Sequence, residues 1–385
     1  MTRKIPLYGG MAAAMLLLAG LAPAAAPPSE PVPALWLGQA PLRATELASM
    51  PLDADRVARI AILNAPALRP ALREHGISPA QLAVLPLWQQ TAAVDIGRDV
   101  LGLAQAPQGR TALAQAVLDS VREARLAWLQ LALASQTLQV CEQQARAADA
   151  ALTLMEAQVQ AGNAAEEKRL PLRQAARAAA RERLHCAAAL AKAQRRLASV
   201  LDLPDATTLR TAPLPALPAS LPQAELPQWL AASPTGRQLQ QQQAIEAAAL
   251  LPRAASRSLR LPLTGALDPE GMPAVSAAQL ELGLQQAGLR AQLADDWAAL
   301  ELTFQEYRSL SEQLPDAQSY TRVMLTHYNG MLGSVYELID ARAAEFALQR
   351  ELLEKQAAFW EHAFTLEARL GAPVIINKEV RHAAP

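Results

Sequence analysis

One long stretch in the first half of the chain decides the fold: residues 108–163 read QGRTALAQAVLDSVREARLAWLQLALASQTLQVCEQQARAADAALTLMEAQVQAGN. Apolar side chains recur in it at three- and four-residue steps, the period of one stripe along an α-helix. The stripe consists of Leu113, Val117, Val121, Ala124, Trp128 and Leu131. We predict a helix from about Gln108 to Ala161. At ~1.5 Å per residue, about 50 residues give a rod of roughly 75 Å, longer than a compact domain needs.

The second half of the chain repeats the landmarks of the first. The triplet NAP at residues 64–66 is echoed by ASP at residues 232–234, and Gly162 is echoed by Gly330, both 168 positions later. The two hairpins end alike, in LDLP and LGAP, with their prolines 169 positions apart. A coiled-coil seam with a seven-residue period is predicted on the last long helix, at Ile339, Phe346, Leu353 and Trp360. These landmarks indicate a tandem duplication of one helix-hairpin unit.

This organisation predicts a mainly α fold. It has two tandem repeats, each a short helix followed by a long antiparallel coiled-coil hairpin, with reduced or missing β-hairpins. Residues 27–202 form the first repeat, 203–223 a Pro-rich linker, 224–373 the second repeat and 374–385 a C-terminal tail. The linker assignment depends on six prolines between residues 204 and 227, because proline cannot continue a helix.

Residues 1–26 are typical of a secretory signal peptide. A cationic start at Thr2-Arg3-Lys4 precedes the apolar residues 11–21, and small residues at 22–26 offer cleavage sites. The apolar part is too short to span a hydrocarbon layer of ~30 Å comfortably, and an uncleaved anchor is the alternative. We expect cleavage within residues 24–26 and export of the mature chain.

The composition narrows the class of function. A net charge of −1 argues against a nucleic-acid partner, and a low aromatic content of 4% suits closely packed, alanine-rich helices. The chain has no glycine-rich phosphate loop, nucleophile elbow or zinc signature, so we expect no enzyme, no cofactor and no metal site. Met324, His327 and Met331 have helical spacing and chemistry that suits a soft metal, but such residues are more often packing residues. A purely structural coiled-coil scaffold is a contrasting class.

Several motifs follow one another in the order of a known family. They are ILNAPAL at residues 62–68, DIGRDVLGL at 95–103, AGN at 161–163, YNGML at 328–332, LDL at 201–203 and LG at 370–371. Over most of the chain after the signal, this pattern resembles the TolC-like outer-membrane efflux proteins. The resemblance implies a homotrimer whose helices form a periplasmic tunnel, with β-hairpins completing an outer-membrane barrel. It also implies export of small molecules or metal ions with a periplasmic adaptor protein and an inner-membrane pump.

The strands that this resemblance implies look short here. A membrane-crossing strand takes about 9–11 residues. The first copy offers only residues 84–100, without clean alternation, whereas residues 258–264 and 278–284 of the second copy alternate and flank a turn-rich segment at 268–271. Two functions therefore remain open. One is an outer-membrane channel with a reduced barrel, and the other is a soluble periplasmic relative without a working barrel that acts as a structural or interaction partner.

The resemblance also implies two functional surfaces. Glu337 and Asp340 lie three apart on one helix face, where the family has acidic residues that narrow the tunnel mouth. Rings of these carboxylates would favour cations, while the alternative is a solvated face with Arg342 as counter-charge. The hairpin turns are implied to contact the adaptor, although glycine and asparagine already suit a sharp reversal. The turn residues are Gly162, Asn163, Asn329 and Gly330.

The only two cysteines lie on either side of the first hairpin turn. Cys141 precedes Gly162 by 21 residues and Cys186 follows it by 24, so antiparallel helices place them at the same height. Facing helices allow the Cα separation of roughly 4.4–6.8 Å that a disulfide requires, and an exported chain enters an oxidising compartment. We predict a disulfide. The alternative is two buried thiols that never face each other, because helix rotation is not readable from the sequence.

Overall fold

The computed structural model describes residues 51–78, 81, 110–203, 209–223, 225–245 and 273–375. The helices are α1 (Ala54–Asn64), α2 (Arg69–Glu74), α3 (Arg110–Gln160), α4 (Arg169–Leu201), α5 (Leu226–Ala232), α6 (Pro273–Asn329) and α7 (Val335–Leu370). A 3₁₀ turn at Glu166–Lys168 precedes α4, and residues 234–245 are also helical. Among the helices of these ranges, none has an apolar stretch long enough to cross a membrane.

Several of the sequence predictions lie outside the described residues. They are the signal peptide at residues 1–26, the candidate strands at 84–100 and 258–264, the motif at 95–103, the turn-rich segment at 268–271 and all but the first two residues of the tail at 374–385.

The long helix predicted for the first repeat is confirmed. α3 runs from Arg110 to Gln160, within two residues of the expected limits. All six residues of its apolar stripe are buried, at most 4% exposed. Alanine, leucine, glutamine and arginine dominate its sequence and have high helix propensity, so local preference and burial favour the same structure.

The four long helices pack in the order α4, α3, α7, α6. α3 and α4 form the first antiparallel hairpin, α6 and α7 form the second, and the contact between α3 and α7 joins the two. α4 and α6 therefore occupy the outer positions of the row. Each of them has a face that no other long helix of the described chain covers.

The candidate strand at residues 278–284 does not form, because this segment belongs to α6. The alternation of Leu280, Leu282 and Leu284 suggested a strand, but the segment consists of alanine, glutamine, leucine, glutamate and glycine without a β-branched residue. Leu280 and Leu284 instead lie one helical turn apart, and both are 64% exposed. In the described ranges, the only β pairing is an isolated parallel bridge between Leu52 and Thr211.

The short helix α1 closes the end of the first hairpin. Buried Asn64 donates from Nδ2 to the carbonyl oxygens of Leu201, at 2.5 Å, and Asp202, at 3.2 Å. These carbonyls lie at the C-terminus of α4, where backbone acceptors lack helical partners. Arg69 also pairs with the Asp202 carboxylate at 2.6 Å. The NAP motif of the first repeat thus contributes a side-chain cap for a helix 137 residues further along the chain.

Residues 209–223 form a segment without regular helix that pairs with Leu52 and contacts α7. The fully buried Leu52 makes two backbone hydrogen bonds to this segment, of 2.8 and 2.9 Å. Trp128 of α3 donates its indole N–H to the Leu52 carbonyl at 2.7 Å. Trp360 of α7 donates in the same way to the carbonyl of Pro215 at 2.9 Å. Trp360 therefore fastens the segment to α7 directly, whereas Trp128 fastens it to α3 only through Leu52.

A buried arginine joins both repeats. Arg125 of α3 donates from Nη1 to Glu367 of α7 at 2.9 Å and from Nη2 to Asp55 of α1 at 2.7 Å. The Arg125 and Glu367 side chains are only 8% and 7% exposed. Burial opposes the charge of Arg125 more than any other single effect, but the attraction of Glu367 and Asp55 and the hydrogen bonds to both together outweigh it and raise the pKa of Arg125. Its guanidinium also lies over the Phe364 ring, 4.9 Å from the centroid.

Replacing Arg125 by alanine tests the energetic weight of this network. The Arg125→Ala variant leaves Glu367 buried without its cation, so we expect the free energy of unfolding to fall by about 3–5 kcal/mol. Urea denaturation followed by circular dichroism measures this change. The control, Arg146→Ala, removes an exposed partner of Glu142 from the same helix and should cost less than about 1 kcal/mol. Similar losses in both variants would contradict a special role for Arg125.

Candidate functional site

The first hairpin turns at Gly162. Its φ of 74° is in the left-handed region, which glycine adopts without a Cβ penalty. The Gly162 N–H donates to the carbonyl of Val159 at 3.0 Å, and the Asn163 N–H donates to that of Gln158 at 2.8 Å. This pair of hydrogen bonds is the Schellman arrangement, which satisfies carbonyls that α3 leaves open at its end.

The second hairpin repeats these hydrogen bonds 169 positions later. The N–H groups of Met331 and Leu332 donate to carbonyls in the last turn of α6, at 3.0 and 2.8 Å. Met331, with a φ of 57°, takes the left-handed conformation. The pairing of Gly162 with Gly330 is therefore wrong by one residue, because Met331 is the structural equivalent. A side chain in this conformation costs about 1–2 kcal/mol.

Two exposed apolar side chains distinguish the second tip from the first. Met331 is 95% exposed and Leu332 is 81% exposed, whereas the first tip has Gly162 and Asn163 in the equivalent places. The sequence analysis missed this contrast. The signal was available as an apolar pair inside a turn, where glycine, asparagine and other small polar residues prevail.

Contacts between the tips hold them at one level. Met155 of α3, Leu172 of α4 and Val335 of α7 form a buried apolar cluster. Tyr336, next to Val335, donates its hydroxyl to the carbonyl of Lys168 at 2.5 Å, which links α7 to the turn before α4. The two turns therefore belong to one end of the row of helices.

Glu337 and Asp340 lie exposed in the first turns of α7, close to that end. Glu337 accepts a hydrogen bond from the Ser334 N–H at 2.9 Å, and its own N–H donates to Ser334 Oγ at 3.3 Å. This reciprocal pair is a capping box, which fixes the position of the Glu337 carboxylate. Arg342 pairs with Glu345 at 2.7 Å instead of neutralising either acid. Neither Glu337 nor Asp340 has an ion-pair partner in the described part of the chain.

An open cleft of about 1240 Å³ runs between the four long helices near the tips. Alanine and leucine side chains provide much of its lining, including Ala147, Ala178 and Leu325. Glu182 of α4 pairs across it with Arg350 of α7 at 3.1 Å. The lining also includes three arginines and two glutamates, so charged groups interrupt an otherwise apolar wall.

Cys141 and Cys186 are joined by a disulfide that links α3 to α4, with their Cα atoms 6.8 Å apart. Glu182 lies beside them, and these three residues are the only group in the described ranges with metal-ligand geometry. The disulfide uses both thiols, and Glu182 is paired with Arg350, so the group has no free ligand set.

Met324, His327 and Met331, which were considered for a soft-metal site, do not share one helix face in the structure. Because α6 ends at Asn329, Met331 lies beyond the helix and does not continue the face of Met324 and His327.

Comparisons with known proteins identify the fold. No family model and no curated protein match the sequence. The CmeC outer membrane channel of Campylobacter jejuni matches with a TM-score of 0.58 at 12% identity, over 83% of this chain and 85% of that chain. A membrane protein from Pseudomonas aeruginosa matches with a TM-score of 0.57 at 14% identity, over 87% of this chain and 95% of that chain. CusC, whose crystal structures concern transmembrane channel formation, matches with a TM-score of 0.54 at 16% identity, over 83% of this chain and 92% of that chain. The chain has a TolC-like fold.

We predict that the mature TolC-like chain keeps the Cys141–Cys186 bond. Thiol labelling in denaturant, counted by mass spectrometry, should give no label without reductant and two labels after reduction. The bond closes a loop with a sequence separation of 45 residues. In the chain-entropy model this closure stabilises the fold by about 4 kcal/mol, so Cys141→Ser should lower the free energy of unfolding by a similar amount. Two reactive thiols in unreduced protein would contradict the prediction.

Proposed function

We propose that this chain is the outer-membrane channel subunit of a tripartite export system and assembles as a homotrimer. The main support is the match of the fold to the CmeC outer membrane channel over 83% of the chain. The architecture fits this role, because two hairpins per copy in three copies provide enough long helices to surround a tunnel. Small molecules or metal ions are the proposed cargo.

The hairpin tips are the proposed docking surface for a periplasmic adaptor, which an inner-membrane pump accompanies. The turns at Gly162, Asn163, Asn329 and Gly330 lie at one end of the row of helices, where a partner in the periplasm would meet the tunnel. The exposed side chains of Met331 and Leu332 add an apolar contact that a partner would cover.

Glu337 and Asp340 are the proposed gate of the tunnel. In a trimer with the tips around the axis, each position supplies one ring of three carboxylates, and stacked rings attract cations and repel one another. The support from this chain is that neither acid forms an ion pair within the described residues and that a capping box fixes Glu337. Fixed like charges at a narrow mouth would act on both ion preference and the closed state.

The gate is tested by removing its charge and keeping its shape. Glu337→Gln preserves the capping box, because glutamine also accepts the hydrogen bond of the Ser334 N–H. We expect the variant Glu337→Gln/Asp340→Asn, in a planar lipid bilayer under a KCl gradient, to lose most of the cation preference of the wild type. The reversal potential measures this change.

The matched control is Glu351→Gln/Glu354→Gln, two exposed acids that are also three apart on α7 but far from the tips. This control should keep the reversal potential of the wild type. An unchanged potential in the gate variant would return Glu337 and Asp340 to a solvated helix face. If the wild type conducts no ions and is recovered from the soluble periplasmic fraction, the alternative function is favoured, a periplasmic protein without a channel.

A further inference from the structure

The outer helices of the row, α4 and α6, carry opposite charge. α4 has eight Lys and Arg residues against one Glu, whereas α6 has seven Asp and Glu residues against three Arg. The net charge of the whole chain is only −1, so the charges of α4 and α6 do not reflect an overall excess of one sign. Opposite charge on opposite edges favours side-by-side association of identical copies, because each edge then complements the other edge of its neighbour.

The exposed face of α4 has a basic stripe, defined here as Leu170, Arg177, Arg181 and Leu184. Their spacings of seven, four and three residues place them on one face of the helix. Arg177 and Arg181 are exposed and make no ion pair in the described ranges. Leu170 and Leu184, 50% and 63% exposed, add apolar surface at both ends of the stripe.

The exposed face of α6 has an acidic stripe, defined here as Glu312, Asp316, Tyr320 and Val323. These residues are also one helical turn apart, and all four are exposed. Neither Glu312 nor Asp316 has an ion pair in the part of the chain that the structure describes. Tyr320 and Val323 are 56% and 46% exposed, so this stripe also combines charge with apolar surface.

The two stripes lie at the same height along the row. The disulfide shows that Cys141 of α3 and Cys186 of α4 lie at the same height along the helices. Equivalent residues of the two hairpins are 169 positions apart, so Leu310 of α6 lies at the height of Cys141. Arg181 is five residues from Cys186 toward the tip, and Asp316 is six residues from Leu310 in the same direction. At ~1.5 Å per residue, the two charges differ in height by about 1.5 Å. Arg177 corresponds in the same way to Tyr320, whose ring suits a cation.

We propose that the basic stripe of α4 docks on the acidic stripe of α6 in a second copy of this chain. The copies stand side by side with their tips at the same end, so that Arg181 meets Asp316 and Glu312, and Arg177 meets Tyr320. The contact is heterologous, and rotation about an axis parallel to the helices closes it into a ring. This inference rests on the proposed function, since it specifies which faces of the subunit make the trimer.

Charge reversal tests this contact in the full mature chain extracted in detergent. Arg177→Glu/Arg181→Glu and Glu312→Arg/Asp316→Arg each place like charges face to face, so light scattering should show association weakened about tenfold or more. The variant that combines all four changes restores opposite charges and should recover assembly. Raising the salt to about 0.5 M should weaken association of the wild type, because exposed pairs are screened.

Two controls make the outcomes distinct. Arg146→Glu and Glu351→Arg reverse exposed charges on α3 and α7, outside both stripes, and should leave assembly unchanged. If the wild type and both charge-reversed variants assemble equally well, the stripe contact is wrong and the proposed function still stands. A wild type that is monomeric under every condition would overturn both. Weakening by each reversal with recovery in the combined variant would support the contact.

Discussion

The buried guanidinium of Arg125 joins three helices of the fold, α1, α3 and α7. A guanidinium without solvent is tolerated only with carboxylates in contact, and here they come from two distant parts of the chain, Asp55 of α1 and Glu367 of α7. The same arginine therefore fixes the short helix and the second hairpin against the first. The backbone N–H of Val374 donates to the other oxygen of Glu367, so the end of α7 is held as well. With one end of the row fixed in this way, the tips lie roughly 50 Å away along α3.

The two hairpins share one backbone pattern and differ in their side chains. The same Schellman hydrogen bonds terminate α3 and α6, and left-handed residues 169 positions apart, Asp202 and Gly371, follow α4 and α7. Only the first hairpin carries a disulfide, and only the second has an apolar tip. The outer helices differ further in the sign of their charge. The two similar hairpins thus present different surfaces on one common backbone.

Much of the fold could be predicted because long helices have a strong periodic signal. The observed limits of α3 are within two residues of the predicted ones. Glycine, asparagine and proline predicted where the hairpins turn and end. The strand at residues 278–284 failed because alternation of leucines over seven residues is also compatible with an exposed helix face. Met331 was missed because glycine was assumed to occupy the left-handed position. The contacts of Arg125 and the outer positions of α4 and α6 depend on how the helices are ordered in space. No local pattern in a single sequence predicts that order.

We propose that three copies of this chain form a tunnel whose mouth lies at the hairpin tips. Electron cryomicroscopy of single particles of the mature protein in lipid nanodiscs tests it most directly. The account predicts particles with threefold symmetry, in which α4 of each copy lies beside α6 of the next and Glu337 and Asp340 surround the axis at the tip end. Particles that contain a single copy, or rings in which the tips of neighbouring copies point in opposite directions, would contradict it.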